Sequence, residues 1–266
     1  MRTKTFFIAL ILSISLILPY MVIANTDDDT ASINKLDEIS DEALQMVKLH
    51  RYDEAQRILN YFSNQFVVAT GGNQILTSDE LRAVTASHNE AVQAAASINM
   101  NHEDRLQSVT KFRLVMDTVS TSNQPLWAEM KNPIMSVLGE VKGAAEMGDI
   151  DAFHQNFNSF LALYDIIYPS IKLDIDSERI QQLDTRIKYV DQYRTQVLED
   201  EEDSMQELET LAADMEEIFE EITEDEADPS LWWVIISTGS IIILTLSYVG
   251  WRKYKGGKKK ENNPES

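Results

Sequence analysis

The sequence predicts an all-α protein: an extracytoplasmic helical bundle, or a set of stacked helical hairpins, followed by one transmembrane helix. Three observations carry this. Apolar residues recur at three- and four-residue steps through most segments between 33 and 222. The 266 residues include only 9 Gly and 6 Pro, too few for the frequent turns of a β-sandwich. Residues 231–251, LWWVIISTGSIIILTLSYVGW, contain no charge.

At the N-terminus, Arg2 and Lys4 precede the apolar run Phe6 to Leu18, then Pro19 and the small-residue site Val22-Ile23-Ala24. This is the layout of a secretory signal peptide over 1–24, with an uncleaved anchor as the alternative. Residues 25–32, with Asp27-Asp28-Asp29, read as an acidic, disordered leader. An extracytoplasmic α-helical domain is expected over 33–195.

The domain opens with Ile33, Leu36, Ile39, Ala43, Leu44 and Val47 as one helix stripe. A turn at Leu49-His50-Arg51-Tyr52 leads to a second stripe, Ala55, Ile58, Leu59, Phe62 and Phe66, so the pair is an αα-hairpin. Gly71-Gly72-Asn73 marks a loop. Thr77 and Glu80 have capping-box spacing ahead of Leu81, Val84, His88, Ala91, Val92 and Ala95. Asn99 or Asn101 can cap the next helix, which carries Leu106, Val109, Phe112, Met116 and Val119. Pro125 suits the first position of a short helix with Leu126 and Trp127. Pro133 starts or kinks a helix with Ile134, Val137, Leu138, Val141 and Ala145.

After Gly148-Asp149 comes an aromatic face of Phe153, Phe157, Phe160 and Tyr164, which Tyr168-Pro169 is expected to stop. A last helix begins near Asp176-Ser177 and carries Ile180, Leu183, Ile187 and Val190. The hairpins Val47–Phe66 and Val141–Tyr164 look alike, each with a short polar turn and an Asp before the second helix. The turns resemble those of tetratricopeptide-type helix pairs. No 34-residue period is sustained, so a generic bundle is favoured.

An acidic amphipathic stalk is expected over 196–230. Glu199 to Asp228 holds sixteen acids and no base, yet Leu198, Met205, Leu208, Ala212, Met215, Phe219 and Ile222 keep heptad-like steps. Such a segment packs back on its own domain, stays solvated, or pairs with a partner helix or a second copy. The transmembrane helix over 231–251 covers a ~30 Å hydrocarbon core. Trp232, Trp233, Tyr248 and Trp251 sit near its ends. The tail 252–266 begins with a cluster of Arg and Lys, whereas the thirty residues before the span have neither, which places the tail in the cytoplasm.

Composition narrows the function. Residues 25–230 carry 42 acids against 15 bases, which disfavours nucleic acid as a partner. With no cysteine, disulfides and thiol chemistry are excluded. His50, His88, His102 and His154 form no His-Glu-x-x-His pattern, and no nucleophile elbow, phosphate loop or dinucleotide fingerprint occurs. No catalytic residue, cofactor or metal site is expected.

Three segments carry a resemblance: Phe112–Asp117 (FRLVMD), Gln124–Trp127 (QPLW) and Phe157–Ser170 (FNSFLALYDIIYPS). Together with the order of signal peptide, helical domain, single span and basic tail, they make the chain resemble the YpjB-type sporulation proteins of endospore-forming bacteria. The resemblance implies a membrane protein of spore formation with no catalytic residues to transfer. The expected activity is a non-enzymatic adaptor that binds a membrane or envelope protein. Gln124, Pro125 and Trp127, together with the loop near Gly71, are the expected contact surface. If Trp127 is buried instead, its truncation should unfold the domain. The stalk leaves a homo-oligomer open. Alternatives are an extracytoplasmic ligand- or cation-sensing domain and a cell-wall-associated hydrolase.

Overall fold

The structure, a computed structural model, describes residues 26–72, 75–121, 124–192, 194 and 201–224. The expected signal peptide, transmembrane helix and basic tail lie outside the described residues. Among the described residues there is no strand, and no helix is long and apolar enough to cross a membrane. The chain divides into two compact units, one ending at Ser120 and one beginning at Thr121.

The first unit holds α1 (Thr26–Lys48), α2 (Tyr52–Thr70), α3 (Ser78–Ala96) and α4 (His102–Ser120). α1 packs against α2 and α4, and α3 against α4 and α2, which closes a four-helix bundle. The expected stripes become core: Leu36, Ile39, Ala43, Leu44 and Val47 on α1, and Ala55, Leu59 and Phe62 on α2, are buried. α1 begins inside the stretch expected to be a disordered leader.

Both halves of the Thr77–Glu80 capping box form. On α3, Leu81 is exposed, and the buried face runs through Val84, Ser87, His88, Ala91, Ala94 and Ala95. His88 Nε2 lies 2.8 Å from the Leu59 carbonyl oxygen, which can only accept, so this nitrogen carries the proton. Burial lowers the His88 pKa below its ordinary value, and the hydrogen bond to Leu59 opposes the shift in part.

Asn101 caps α4 through the Asp104 amide, 2.8 Å away. α4 also buries charge. Arg113 reaches both carboxylate oxygens of Asp37 at 2.6 and 3.3 Å, a bidentate pair that offsets the desolvation of its guanidinium.

The second unit holds a 3-10 helix (Leu126–Met130), α5 (Lys131–Glu146), α6 (Ile150–Asp174), α7 (Ser177–Gln192) and α8 (Glu201–Glu224). α5 packs on α6 and α8, and α7 packs on α8 and α6. The aromatic face of α6 is core: Phe153, Phe157 and Phe160 are fully buried and contact one another in series. Tyr168-Pro169 does not stop α6, which runs on to Asp174. A proline inside a helix costs one backbone hydrogen bond. Here Ile166, Ile167, Ser170 and Ile171 keep the helix buried on either side of it, and Ile175 adds a buried side chain one turn on. The hydroxyls of Tyr164 and Tyr168 both donate to Asp184, at 2.9 and 2.8 Å.

The acidic segment is helical from Glu201 to Glu224 and packs within its own unit. Its buried seam is Leu208, Leu211, Met215, Ile218 and Phe219. The carboxylates beside the seam meet bases on α5 and α7. Arg186 pairs with Glu207 and Asp214, Arg179 with Glu217 and Glu221, Lys131 with Glu216, and Lys142 with Glu209. Opposite charge on the neighbouring helices is what lets so acidic a helix dock.

Candidate partner-binding surface

The expected contact surface at Gln124–Trp127 is only partly a surface. Gln124 is exposed, with φ of 49°, and Pro125 is buried. The Trp127 side chain is 0% exposed, packs 5.6 Å from the Phe219 ring, and donates from Nε1 to Asp174 at 2.6 Å. Trp127 is therefore core. A 3-10 turn carrying one large apolar side chain gains most by burying it, here under the seam of α8.

The second expected contact, the loop near Gly71, follows Val67 and Val68, which are both exposed. Gly71 is fixed by sterics, because a Cβ there would lie 2.8 Å from the Val67 carbonyl oxygen.

A more organised surface is the end of the first unit where the α1–α2 turn meets the α3–α4 connection. The two segments are tied by their side chains. The His50 and His102 rings stack with centroids 3.9 Å apart, and the Tyr52 hydroxyl lies 3.0 Å from His102 Nδ1. The Arg105 guanidinium stands 4.4 Å over the Tyr52 ring. The same guanidinium donates to the carbonyls of Ala94, Ala95 and Ser97, and its Nε donates to Met100, so it caps the C-terminal end of α3.

Two large apolar side chains project from this braced end: Ile98, 95% exposed, and Leu49, 61% exposed. Beside them a cavity of about 290 Å³ is lined by His50, Arg51, Tyr52, Asp53, Glu54 and Arg57. Arg51 and Arg57 both pair with Glu54. In the second unit an open groove of about 540 Å³ runs along α7 past Gln181, Gln182, Thr185 and Tyr189 to Glu207.

Of the four histidines, His88 is a core residue, whereas His50 and His102 face this end of the bundle. Their pairing was not legible in the sequence, because they are far apart in it and no spacing rule connects them. The one local signal was the turn itself, His50-Arg51-Tyr52. Among the described residues, no group of three or more His, Cys, Asp or Glu is arranged to hold a metal ion.

Comparison with known proteins places these features in a family. A family model described as Sporulation protein YpjB (SpoYpjB) matches residues 33–263. The chain is also 35% identical, over 234 residues, to the Bacillus subtilis (strain 168) protein named "Uncharacterized protein YpjB"; the match covers 87% of this chain and 88% of that one. No solved structure matches the chain.

Proposed function

From the premise that the chain belongs to the YpjB family of sporulation proteins, we propose that it is a single-pass membrane adaptor. In this reading residues 25–230 lie outside the membrane, 231–251 span it and 252–266 form the cytoplasmic tail. The work of the protein is to hold an envelope or membrane protein through its helical domain, without catalysis or cofactor. The uncharged stretch followed by a cluster of Arg and Lys supports the topology.

The observation that carries the contact assignment is the exposure of Ile98 and Leu49 on two connections held rigid by the His50–His102 stack and by Arg105. Large apolar groups on a braced surface lose little conformational entropy on binding. In a protein this acidic they are also the places where a partner gains by excluding water.

The test is cross-linking of the full-length protein in sporulating cells, comparing wild type with the double variant Leu49→Asp/Ile98→Asp. Both positions are exposed, so the double variant should keep its fold. A discrete partner captured by wild type and lost from the variant supports the adaptor. Capture of the same abundant membrane proteins by both would sink it.

A further inference from the structure

α7 turns an uncharged stripe to solvent in a chain whose residues 25–230 carry 42 acids against 15 bases. Gln181, Gln182, Thr185 and Tyr189 follow at steps of one, three and four, so they share the face opposite the buried Ile180, Leu183, Ile187 and Val190. This stripe is the floor of the groove of about 540 Å³, within the range of about 300–1,000 Å³ that small-ligand sites occupy.

The floor offers donors and acceptors in a mixed set. Each glutamine carboxamide supplies an NH2 and a carbonyl, and among the described residues neither side chain has a partner. The Thr185 hydroxyl donates to the Gln181 carbonyl at 2.7 Å and keeps its capacity to accept. Tyr189, 46% exposed, is the aromatic side chain of the lining. One wall is rigid. Arg186 donates from Nε to Asp214 at 2.7 Å and from Nη1 to Glu207 at 2.8 Å, which fixes the guanidinium and leaves its other N–H groups for a ligand.

Charge narrows what can lie there. Arg186, the base on this groove, already faces two carboxylates, and Glu178 adds a further negative charge, so phosphate polymers, acidic peptides and anionic lipid are repelled. A basic peptide gains little, because Glu178 is the acid outside an ion pair and stands about 16 Å along the helix from Tyr189. An amphipathic helix needs an apolar groove, and the described residues hold no sheet edge for an extended peptide. A saccharide satisfies every remaining condition. It is neutral, its hydroxyls both donate and accept, and the C–H face of its ring packs on an aromatic side chain. An acetamido group matches a glutamine carboxamide in particular, since each pairs one N–H with one carbonyl.

We propose that the α7 groove binds a neutral, N-acetylated glycan strand, with Tyr189 as the stacking platform and Gln181 and Gln182 as the polar clamp. The site stands on its own geometry. That the strand belongs to the cell wall rests on the extracytoplasmic placement in the adaptor reading.

The experiment titrates triacetylchitotriose into the full-length protein in detergent micelles by calorimetry, with maltotriose, which lacks acetamido groups, as the control. Tyr189→Ala, Tyr189→Phe and the double variant Gln181→Ala/Gln182→Ala are compared with wild type. These side chains are exposed, so circular dichroism and Tm should be unchanged. Wild type should bind chitotriose saturably. Tyr189→Ala and the double variant should each bind it about tenfold more weakly, and Tyr189→Phe, which keeps the ring, should stay within about twofold. Absence of saturable binding to wild type overturns the site, as does undiminished binding by both alanine variants. Maltotriose bound as tightly as chitotriose overturns the N-acetyl assignment.

Co-sedimentation with purified wall sacculi, competed by chitotriose, identifies the source of the strand. Chitotriose binding without sedimentation overturns the wall assignment. The α7 variants should still capture the cross-linked protein partner at wild-type level, because Leu49 and Ile98 belong to the first unit. Failure of the glycan site and failure of the adaptor reading are therefore separate results.

Discussion

The indole N–H of Trp127 donates to Asp174 across 2.6 Å, which joins the 3-10 helix to the far end of α6 in the second unit. With the ring fully buried beside Phe219, this residue is an anchor of the fold. Trp127→Ala should cost about 3–5 kcal/mol through lost burial and the cavity left behind. Trp127→Phe keeps an aromatic ring but loses the donor. Because Asp174 is exposed and water can replace the bond, the hydrogen-bond part of its cost should be about 1 kcal/mol. Denaturant unfolding of the two variants checks both values. An Ala variant as stable as wild type would show that the indole does not anchor the unit.

Acid should weaken the first unit through His88. Its pKa in the folded protein is lowered by burial, so below the ordinary imidazole pKa of about 6.5 the unfolded chain binds the extra proton more readily. The resulting stabilisation is fully present above that pH and is lost as the pH falls toward the folded value. His88→Gln, which keeps an N–H donor for the Leu59 carbonyl, should flatten the stability–pH curve below about pH 6.5. An unchanged slope in that variant would rule out His88 as the source.

Alkali should act on the second unit through the tyrosine pair. Tyr168 is pushed up to about 12, first by burial and then by its hydrogen bond to the Asp184 carboxylate, and Tyr164 is raised further by the same causes. The folded state therefore holds these phenol protons more tightly than the unfolded chain. That stability is fully present below about pH 10 and is lost as the pH rises through the folded values. Asp184→Asn should recover part of the shift and leave the burial component. Ultraviolet titration of tyrosine ionisation reads this directly, and phenols that all ionise near their ordinary value would contradict the geometry.

Salt and charge deletion should loosen α8 selectively. Arg186 holds Glu207 and Asp214 at 2.8 and 2.7 Å, with about a quarter of its side chain exposed. Arg186→Met should cost about 0.5–1 kcal/mol per lost pair, before the repulsion among the remaining carboxylates. Hydrogen exchange across 201–224 should rise well above that of α5 or α6, and high salt should reproduce part of the effect in wild type. Uniform exchange over the whole second unit would show that α8 is held by its apolar seam alone.

Helix identity was legible in the sequence wherever one face repeated cleanly, because a buried stripe of period 3.6 states both the element and its inward side. Ile180, Leu183, Ile187 and Val190 are such a case, and so is the Thr77–Glu80 cap. Reading failed where a local signal met tertiary packing. Pro169 reads as a stop, but burial of Ile166, Ile167 and Ile171 on one continuous helix outweighs the missing hydrogen bond. The heptad seam of the acidic helix was visible, though Leu211 and Ile218 were missed in favour of Ala212. Packing against two helices widens the buried face beyond a strict coiled-coil stripe.

By itself the sequence determined the all-α class, the order of the helices and the family, since periodicity, capping and residue identity are local properties of the chain. Tertiary structure alone decided that Trp127 is core, that α8 docks on α5 and α7, and that His50 meets His102. Each of these is a contact between residues distant in the chain. Such contacts arise from how the helices share a limited apolar surface and pair their charges, and no spacing rule encodes that sharing.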